Sequence, residues 1–367
     1  MRSFIGFIKK EFLHILRDPL TLMIIILIPI IELVLFGYVL SNDLKNEKIA
    51  ILDHSKDEVT LNICNKITSS GYFEIEKNLE SEKQILSEFK KGKVKAVIVF
   101  ENDFSKKLYA EKKANIQLIL DAGDPNLANM TQYYLSSIIR NYLSSFNKGF
   151  GINILTPEVS MKYNPELKSV YMFVPGLIAY ILMLICALIT SVSITREKEL
   201  GTMEILLASP LPPYQIIVGK IIPYILISFI NMSLILGISY FVFQVPIVGS
   251  MALLLAEGLL FICLALSVGI LISTIAKAQQ VAMMISLVGL MLPTMLLSGF
   301  IYPISNMPKI IQYFTLLIPA RWFLVILKAI MLKGAGLEMI WKETLIIFGM
   351  TLLFILISVK KFKLRLE

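Results

Sequence analysis

The run PLTLMIIILIPIIELVLFGYVL, from Pro19 to Leu40, carries a single charged residue, Glu32. About 20 apolar residues in helical conformation are what it takes to cross roughly 30 Å of hydrocarbon. Comparable runs recur near residues 170–195, 214–243, 250–275, 281–298 and 342–359. Lipid offers no partners to a backbone amide or carbonyl, so repeated runs of this kind dictate helices that satisfy themselves. Only 17% of the 367 residues are charged, against about 25% in soluble domains. Mean hydropathy is +0.74. The chain reads as a polytopic α-helical membrane protein with six transmembrane helices.

Residues 1–18 precede the first run. They place Phe4, Phe7, Ile8, Phe12 and Ile15 near helical spacing, with Lys9, Lys10 and Arg17 between them. That pattern suits an amphipathic helix lying along the membrane surface. The first apolar stretch, 19–41, is longer than a signal-peptide core, and no small-residue cleavage site follows it, so it is expected to stay as an uncleaved span. The tail KKFKLRLE (360–367) is basic and Lys277 lies in a short loop between spans. By the positive-inside rule both termini are expected in the cytoplasm of a multi-pass cell (inner) membrane protein.

Residues 42–168 differ in character. They hold 18 Lys/Arg and 17 Asp/Glu of the chain's 35 and 27, so nearly all of the net +8 lies beside the apolar runs. A nucleic-acid binder would instead gather its basic residues on a soluble face; no nucleic-acid partner is expected. KIAILD (48–53), YFEIEK (72–77), KAVIVF (95–100) and NIQLILD (115–121) read as strands, with helical patterns near 56–69, 81–91 and 125–148. Alternating strand and helix predicts an α/β domain with a largely parallel sheet. Inserted between the first and second spans, it would be extracytoplasmic. Asp53, Asp121 and Asp124 stand at strand ends and read as turn formers and caps.

The remainder, 169–367, is expected to form the transmembrane domain, with five further helices. One stretch breaks the pattern. LSGFIYPISNMPKIIQYFTLLIPARWF (297–323) is apolar but interrupted by Gly299, Pro303, Pro308 and Pro319. Prolines at such intervals do not suit a simple span. Two short helices that dip into the outer leaflet and return, over 299–320, account for it better than an extra pair of spans.

Catalytic chemistry is hard to find. A phosphate-binding loop needs G-x-x-x-x-G-K-[ST], and KKGKVKAV (90–97) lacks both the second glycine and the Ser/Thr. Cys64, Cys186 and Cys263 are far apart, as are His14 and His54, which supports neither a disulfide framework nor a metal site. The chain is expected to bind no cofactor and to perform no covalent chemistry.

The second span runs into ITREKELGTMEILLASPLPPYQIIVGK, Ile194 to Lys220. After the charges, Met203, Leu206 and Leu207 recur at helical spacing, until Pro210, Pro212 and Pro213. A plain connector between helices needs only about 2–8 residues. A short amphipathic helix offers one apolar ridge and one charged face, which suits either a passive surface helix or a groove in a soluble partner.

This stretch resembles the hallmark segment of ABC transporter permeases of the type 2 exporter class, R-E-x-E-x-G-T-x-E-x-L-x-x-[ST]-P-L. The 297–323 stretch is similar to that family's outer re-entrant helices, and the layout is that of its multidrug branch. The resemblance implies that 196–213 is a coupling helix with its lead-in. Arg196, Glu197 and Glu199 would cap the second span and contact an ATPase. Gly201, Thr202, Glu204, Leu206, Leu207, Ser209 and Pro210 would form the helix. It also implies a separate cytoplasmic ATP-binding cassette subunit carrying ATP and magnesium, and a second permease, identical or related. A membrane-spanning permease subunit exporting amphipathic or hydrophobic compounds follows.

Polar groups inside the spans are pathway candidates: Glu32, Ser228, Asn231 and Glu257, each equally readable as a wet, paired or helix-packing residue. Arg321 beside Trp322 is expected to snorkel to the outer interface. The inserted domain would receive substrate, or dock to a periplasmic adaptor or cell-wall component. The rival readings are a membrane-anchored sensor or scaffold and, behind it, a secondary transporter.

Overall fold

In the strand Glu47–Asp53, Ile49 and Ile51 are buried in one apolar cluster, and Ala50 and Leu52 in another. The strand Ala96–Phe100 divides in the same way, Ile98 and Phe100 on one face and Val97 and Val99 on the other. A strand covered on both faces needs no polar side, which is why KIAILD and KAVIVF read as nearly continuous apolar runs. The computed structural model describes residues 2–39, 46–111, 113–123, 125–150, 163–164, 168–202 and 213–363. It divides into two compact units, Asn42–Leu167 and Met1–Ser41 with Lys168–Glu367.

The first unit holds a four-stranded sheet. With β1 Glu47–Asp53, β2 Phe73–Asn78, β3 Ala96–Phe100 and β4 Ile116–Leu120, the order is β2-β1-β3-β4. β1 runs parallel to β2 and β3, and β4 closes antiparallel on β3, with Phe100 opposite Ile116. Helices Glu58–Thr68 and Pro125–Phe150 contribute Ile63, Ile67 and Leu135 to one face. Helix Glu82–Lys90 contributes Ile85 to the other. The α/β region expected from sequence is therefore present, largely parallel.

Polar links fix its turns. Asp53 Oδ1 accepts from the amides of Ser55 and Lys56, both at 2.9 Å. Asp57 caps helix Glu58–Thr68: its Oδ1 accepts from Thr60 N at 2.9 Å, and Thr60 Oγ1 accepts from Asp57 N at 3.2 Å. The other oxygen accepts from Ser55 Oγ at 2.5 Å and Ser105 N at 2.8 Å. Burial alone would raise the Asp57 carboxyl, but these bonds outweigh it and hold it well below the usual carboxylate range. Asp121 accepts from Gly123 N at 3.0 Å and pairs with Lys95 at 3.1 Å. Asp53 and Asp121 thus serve as turn formers; Asp124 lies outside the described residues. Burial pushes the Cys64 thiol up to about 12, which makes it an inert packing group.

The second unit is helical. The chain opens with a surface-patterned helix, Arg2–Leu16, and continues as Pro19–Val39. Five later helices are long and apolar enough to cross a membrane: Ser169–Glu199, Val218–Phe241, Met251–Ile275, Gln279–Leu297 and Leu337–Lys361. These fall where the second to sixth spans were expected. The first expected span is a 21-residue helix, whose apolar part counts as the shorter Ile25–Val39. Helices Lys309–Thr315 and Pro319–Lys333 meet at a bend of 84°, and count as one more span if taken together.

The Ser169–Glu199 helix is the core of this unit: 78% of its most apolar window is buried, against 17% for the Gln279–Leu297 and Leu337–Lys361 helices. Hydrophobic burial does not draw helices together in lipid, so close backbone approach must. Gly269 provides it where helix Met251–Ile275 meets the core helix. A Cβ there would lie 2.6 Å from the Ala187 carbonyl oxygen.

Candidate functional site

The charged run at the end of the core helix is where the second unit concentrates its polar contacts. Consecutive helical residues point about 100° apart, and Glu197, Lys198 and Glu199 accordingly reach three different neighbours.

Glu197 reaches the start of the third span, Pro213–Phe241. Its Oε1 lies 2.5 Å from Lys220 Nζ, and Glu11 Oε2 of helix Arg2–Leu16 approaches the same ammonium at 3.7 Å. Glu11 and Lys220 are each only 2% exposed. Lys10 completes the cluster from the surface, 2.7 Å from Glu11 Oε1. The two helices come close because residue 219 is glycine: a Cβ there would stand 2.6 Å from Phe7 Cδ1.

Lys198 reaches the end of the fourth span, Met251–Ile275, where its Nζ donates to the Ser273 carbonyl. That carbonyl lies in the last turn, where helix geometry leaves acceptors without donors, and the helix dipole favours a cation. Glu199 does the converse at the fifth span. Its Oε2 accepts from Gln279 N at 2.9 Å and Gln279 Nε2 at 3.1 Å. Gln279 is the first residue of its helix, and Ala278, at the cap position, has no side chain able to cap. A carboxylate from another helix supplies the acceptor and suits the positive end.

Beyond the run, Leu200 N donates to the Arg196 carbonyl at 3.0 Å and Gly201 N to that of Lys198 at 3.3 Å. Gly201 has φ +71°, the left-handed conformation with which helices commonly stop and which suits glycine. Thr202 Oγ1 donates to the Glu197 carbonyl at 3.3 Å. Arg196 is exposed. Glu204, Leu206, Leu207, Ser209 and Pro210, expected to form the coupling helix, lie outside the described residues.

Lys198, Lys220 and Glu11 were missed in the sequence, although two carried a signal. Glu11 falls on the face of Phe7 and Ile15, where an apolar residue belongs. Lys220 stands inside an apolar span, where an ionisable group demands a partner.

The pathway candidates do not converge on one site. Asn231 is buried, and its Nδ2 donates to the Ile25 carbonyl at 3.1 Å. Pro29 has no N–H to give that carbonyl, so Asn231 replaces the bond that proline removes from the first span. Ser228 is buried beside Cys186. Glu257 is buried, its Oε1 accepting from Thr344 Oγ1 of the last helix at 2.8 Å. Glu32 is half-buried in helix Pro19–Val39.

Ahead of the bent pair, Gly299 has φ +83° and Pro303 and Pro308 precede short helical turns; at the 84° bend itself Pro319 begins helix Pro319–Lys333. Arg321 does not stand free beside Trp322. Its Nη1 donates to Thr315 Oγ1 and, at 3.3 Å, to the Gln312 carbonyl, while Trp322 Nε1 donates to the Leu316 carbonyl at 3.0 Å. Together they staple the bend.

Residues 19–360 match the family model described as ABC-2 family transporter protein. The probable multidrug ABC transporter permease YbhR of Escherichia coli K12 is 34% identical over 337 residues, covering 92% of this chain and 91% of its own length. YbhS of the same organism, with the same description, is 31% identical over 362 residues, 98% of this chain and 96% of its own. ABC transporter G family member 20 of Dictyostelium discoideum is 24% identical over 364 residues, which spans 96% of this chain but 49% of that protein.

Proposed function

The chain belongs to the ABC-2 family of transporter proteins, and on that footing we propose that it is the membrane-spanning permease subunit of an ATP-driven exporter. It moves amphipathic or hydrophobic compounds outward, as the multidrug description of its relatives suggests. It is not itself the enzyme. A separate cytoplasmic ATP-binding cassette subunit holds ATP and magnesium, and a second permease, identical or related, completes the pathway. Six spans with both termini in the cytoplasm leave the α/β unit outside, where it receives substrate or meets a periplasmic adaptor. The bent pair is a re-entrant gate; exposed Ile310, Tyr313, Phe314 and Leu317 beside the bend support its immersion in lipid.

What carries this reading is the charged break at the end of the core helix, whose two flanks, Glu197 and Lys220, meet in a buried ion pair. A passive connector has no need of such a fixture. Contact with the ATPase falls to segment 203–212, which lies between Glu197 and Lys220 in the sequence.

Co-purification of the chain with the cassette ATPase encoded beside it, with ATP hydrolysis as readout, tests the proposal. Wild type retains the ATPase; the Leu206→Asp/Leu207→Asp variant inserts normally but loses the association and substrate-dependent hydrolysis. Equal association in both would remove the coupling role, and no association with any ATPase would move the membrane-anchored sensor to the front. For orientation, with native cysteines replaced, a thiol introduced at Ser87 reacts with an impermeant reagent in intact cells and one at Ser209 does not. The reverse pattern inverts the topology.

A further inference from the structure

We infer that the corner between the surface helix Arg2–Leu16 and helix Pro19–Val39 is a binding site for one phospholipid whose headgroup carries a phosphate and a primary ammonium, as phosphatidylethanolamine does. Lys10 and Arg17 take the phosphate, and Asp18 takes the ammonium. The occupant is a lipid of the leaflet in which the surface helix lies, whichever compound the permease carries.

The corner is built by the backbone. Lys10, Leu13 and Arg17 follow one another at i, i+3 and i+7, the spacing that puts side chains on one helical face. Arg17 N donates to the Leu13 carbonyl at 3.0 Å, so the helical path continues to Arg17. Asp18 N then donates to the Ile15 carbonyl at 3.2 Å, a tighter turn, and the Asp18 carbonyl accepts from Leu22 N at 3.1 Å as the next helix opens. Pro19 suits that start, since a residue in the first turn needs no N–H donor. Lys10, Leu13, Arg17 and Asp18 thereby line a cavity of about 440 Å³, a size within the usual range for small-molecule sites.

The lining chooses the headgroup. Lys10 engages Glu11 Oε1 at 2.7 Å, which leaves two of an ammonium's three donors. Arg17 is exposed and forms no ion pair among the described residues; its planar fork of N–H groups matches phosphate oxygens in pairs. A carboxylate accepts at about four lone-pair positions, so Asp18 serves an incoming ammonium beside its contacts within the chain. The wall thus offers two cations and one anion. A phosphate alone would answer only the cations, and a quaternary choline has no N–H for the carboxylate. A primary ammonium supplies both the charge and the donors. The surroundings argue that the headgroup comes with its acyl chains. Ile5, Leu13 and Leu16 of the same helix are 63%, 40% and 58% exposed although apolar, a cost in water that an acyl layer removes. A water-soluble ligand would leave these side chains uncovered.

Native mass spectrometry of the full chain, extracted from vesicles of equal parts phosphatidylethanolamine, phosphatidylglycerol and phosphatidylcholine, tests this. Wild type should retain one phosphatidylethanolamine per chain in preference to the other two. Arg17→Gln should lower that retention roughly tenfold, the effect of one lost charged contact, and Arg17→Lys should recover part of it. Asp18→Asn keeps an oxygen able to cap the next helix but loses the charge, and should move the preference to phosphatidylglycerol. Lys9 is the control, exposed on the same helix but outside the cavity lining; Lys9→Gln should change nothing.

Equal losses in Lys9→Gln and Arg17→Gln would overturn the inference, because attraction to the basic helix as a whole would then suffice. So would wild type that holds phosphatidylglycerol or phosphatidylcholine as firmly as phosphatidylethanolamine, or Asp18→Asn with an unaltered preference. The unfolding midpoint separates a lost site from a lost fold. Before lipid is added it should be the same in wild type, Arg17→Gln and Asp18→Asn. Added phosphatidylethanolamine should then raise it in wild type, as a ligand of the folded state does, and not in Arg17→Gln; a wild-type midpoint that stays put counts against the site.

Discussion

The two units of this chain hold their charges in opposite ways. In the α/β unit the ion pairs are largely exposed: Lys48 lies 2.7 Å from Glu76 and Lys106 2.8 Å from Asp103, with water around each. In the helical unit, Lys220 and Glu11 are 2% exposed and their cluster fastens separate helices. The distances are similar and the consequences are not. An exposed pair exchanges one set of solvated contacts for another, whereas a buried ion that loses its partner is left without any. What separates the two units is how many elements depend on each charge.

The largest effect is expected at Lys220. Lys220→Met takes the buried cation from Glu197 and leaves Glu11 with only the surface Lys10, and should cost roughly 3–5 kcal/mol, read as a lower unfolding midpoint in detergent. Lys220→Arg should recover most of it. A loss no greater than that of an exposed lysine would break the comparison.

Asn231 comes next. Asn231→Ala removes the donor that serves Ile25, and should cost about 1–2 kcal/mol. In a Pro29→Ala background the backbone regains its own donor, so the same change should cost much less. A double-mutant cycle measures the coupling, and additive costs would show that the bond does not compensate the proline.

Asp57 should give an effect of about 1 kcal/mol on Asp57→Ala, as helix caps do. Because the folded state holds this carboxyl below its ordinary value, its contribution is complete above the unfolded value of about 3.9. It is lost as the pH falls through the lowered folded value. Wild type and variant should therefore differ at neutral pH and converge only in strong acid; a gap that closes already near pH 5 would contradict the assigned bonds. Smallest of all, Lys48→Met and Lys106→Met should leave the midpoint unchanged within error.

Much of the fold was legible because its signals are local. KAVIVF is a strand in any chain that can cover both of its faces, and apolar runs of spanning length announce themselves one residue at a time. The strands, the helices between them and five of the expected spans follow from such windows. The site was legible in place but not in wiring. The run Arg196–Glu199 stands out as charge at the end of a span. That Glu197 would meet Lys220, Lys198 a carbonyl at 273 and Glu199 an amide at 279 depends on partners 23, 75 and 80 residues away. The resemblance assigned Glu197 and Glu199 to contact with an ATPase; in the structure both have partners within the chain. Asn231 is the same lesson in reverse. It reads as a polar group lining a pathway until Pro29, two spans distant, is seen to have left a carbonyl without its donor.

The contacts of the charged run also have an order of construction. Synthesis delivers Glu197, Lys198 and Glu199 before Lys220, Ser273 or Gln279 exists. Until then the three charges stay in water, holding the end of the second span at the membrane boundary. Lys220 arrives first, while its neighbours are still entering the bilayer, and Glu11 is already waiting. Only when the residue that opens the fifth span emerges does the last carboxylate find its amide. The same three side chains that join the finished helices therefore close one by one, and the final closure marks a bundle whose first four spans have been made and whose fifth has just begun.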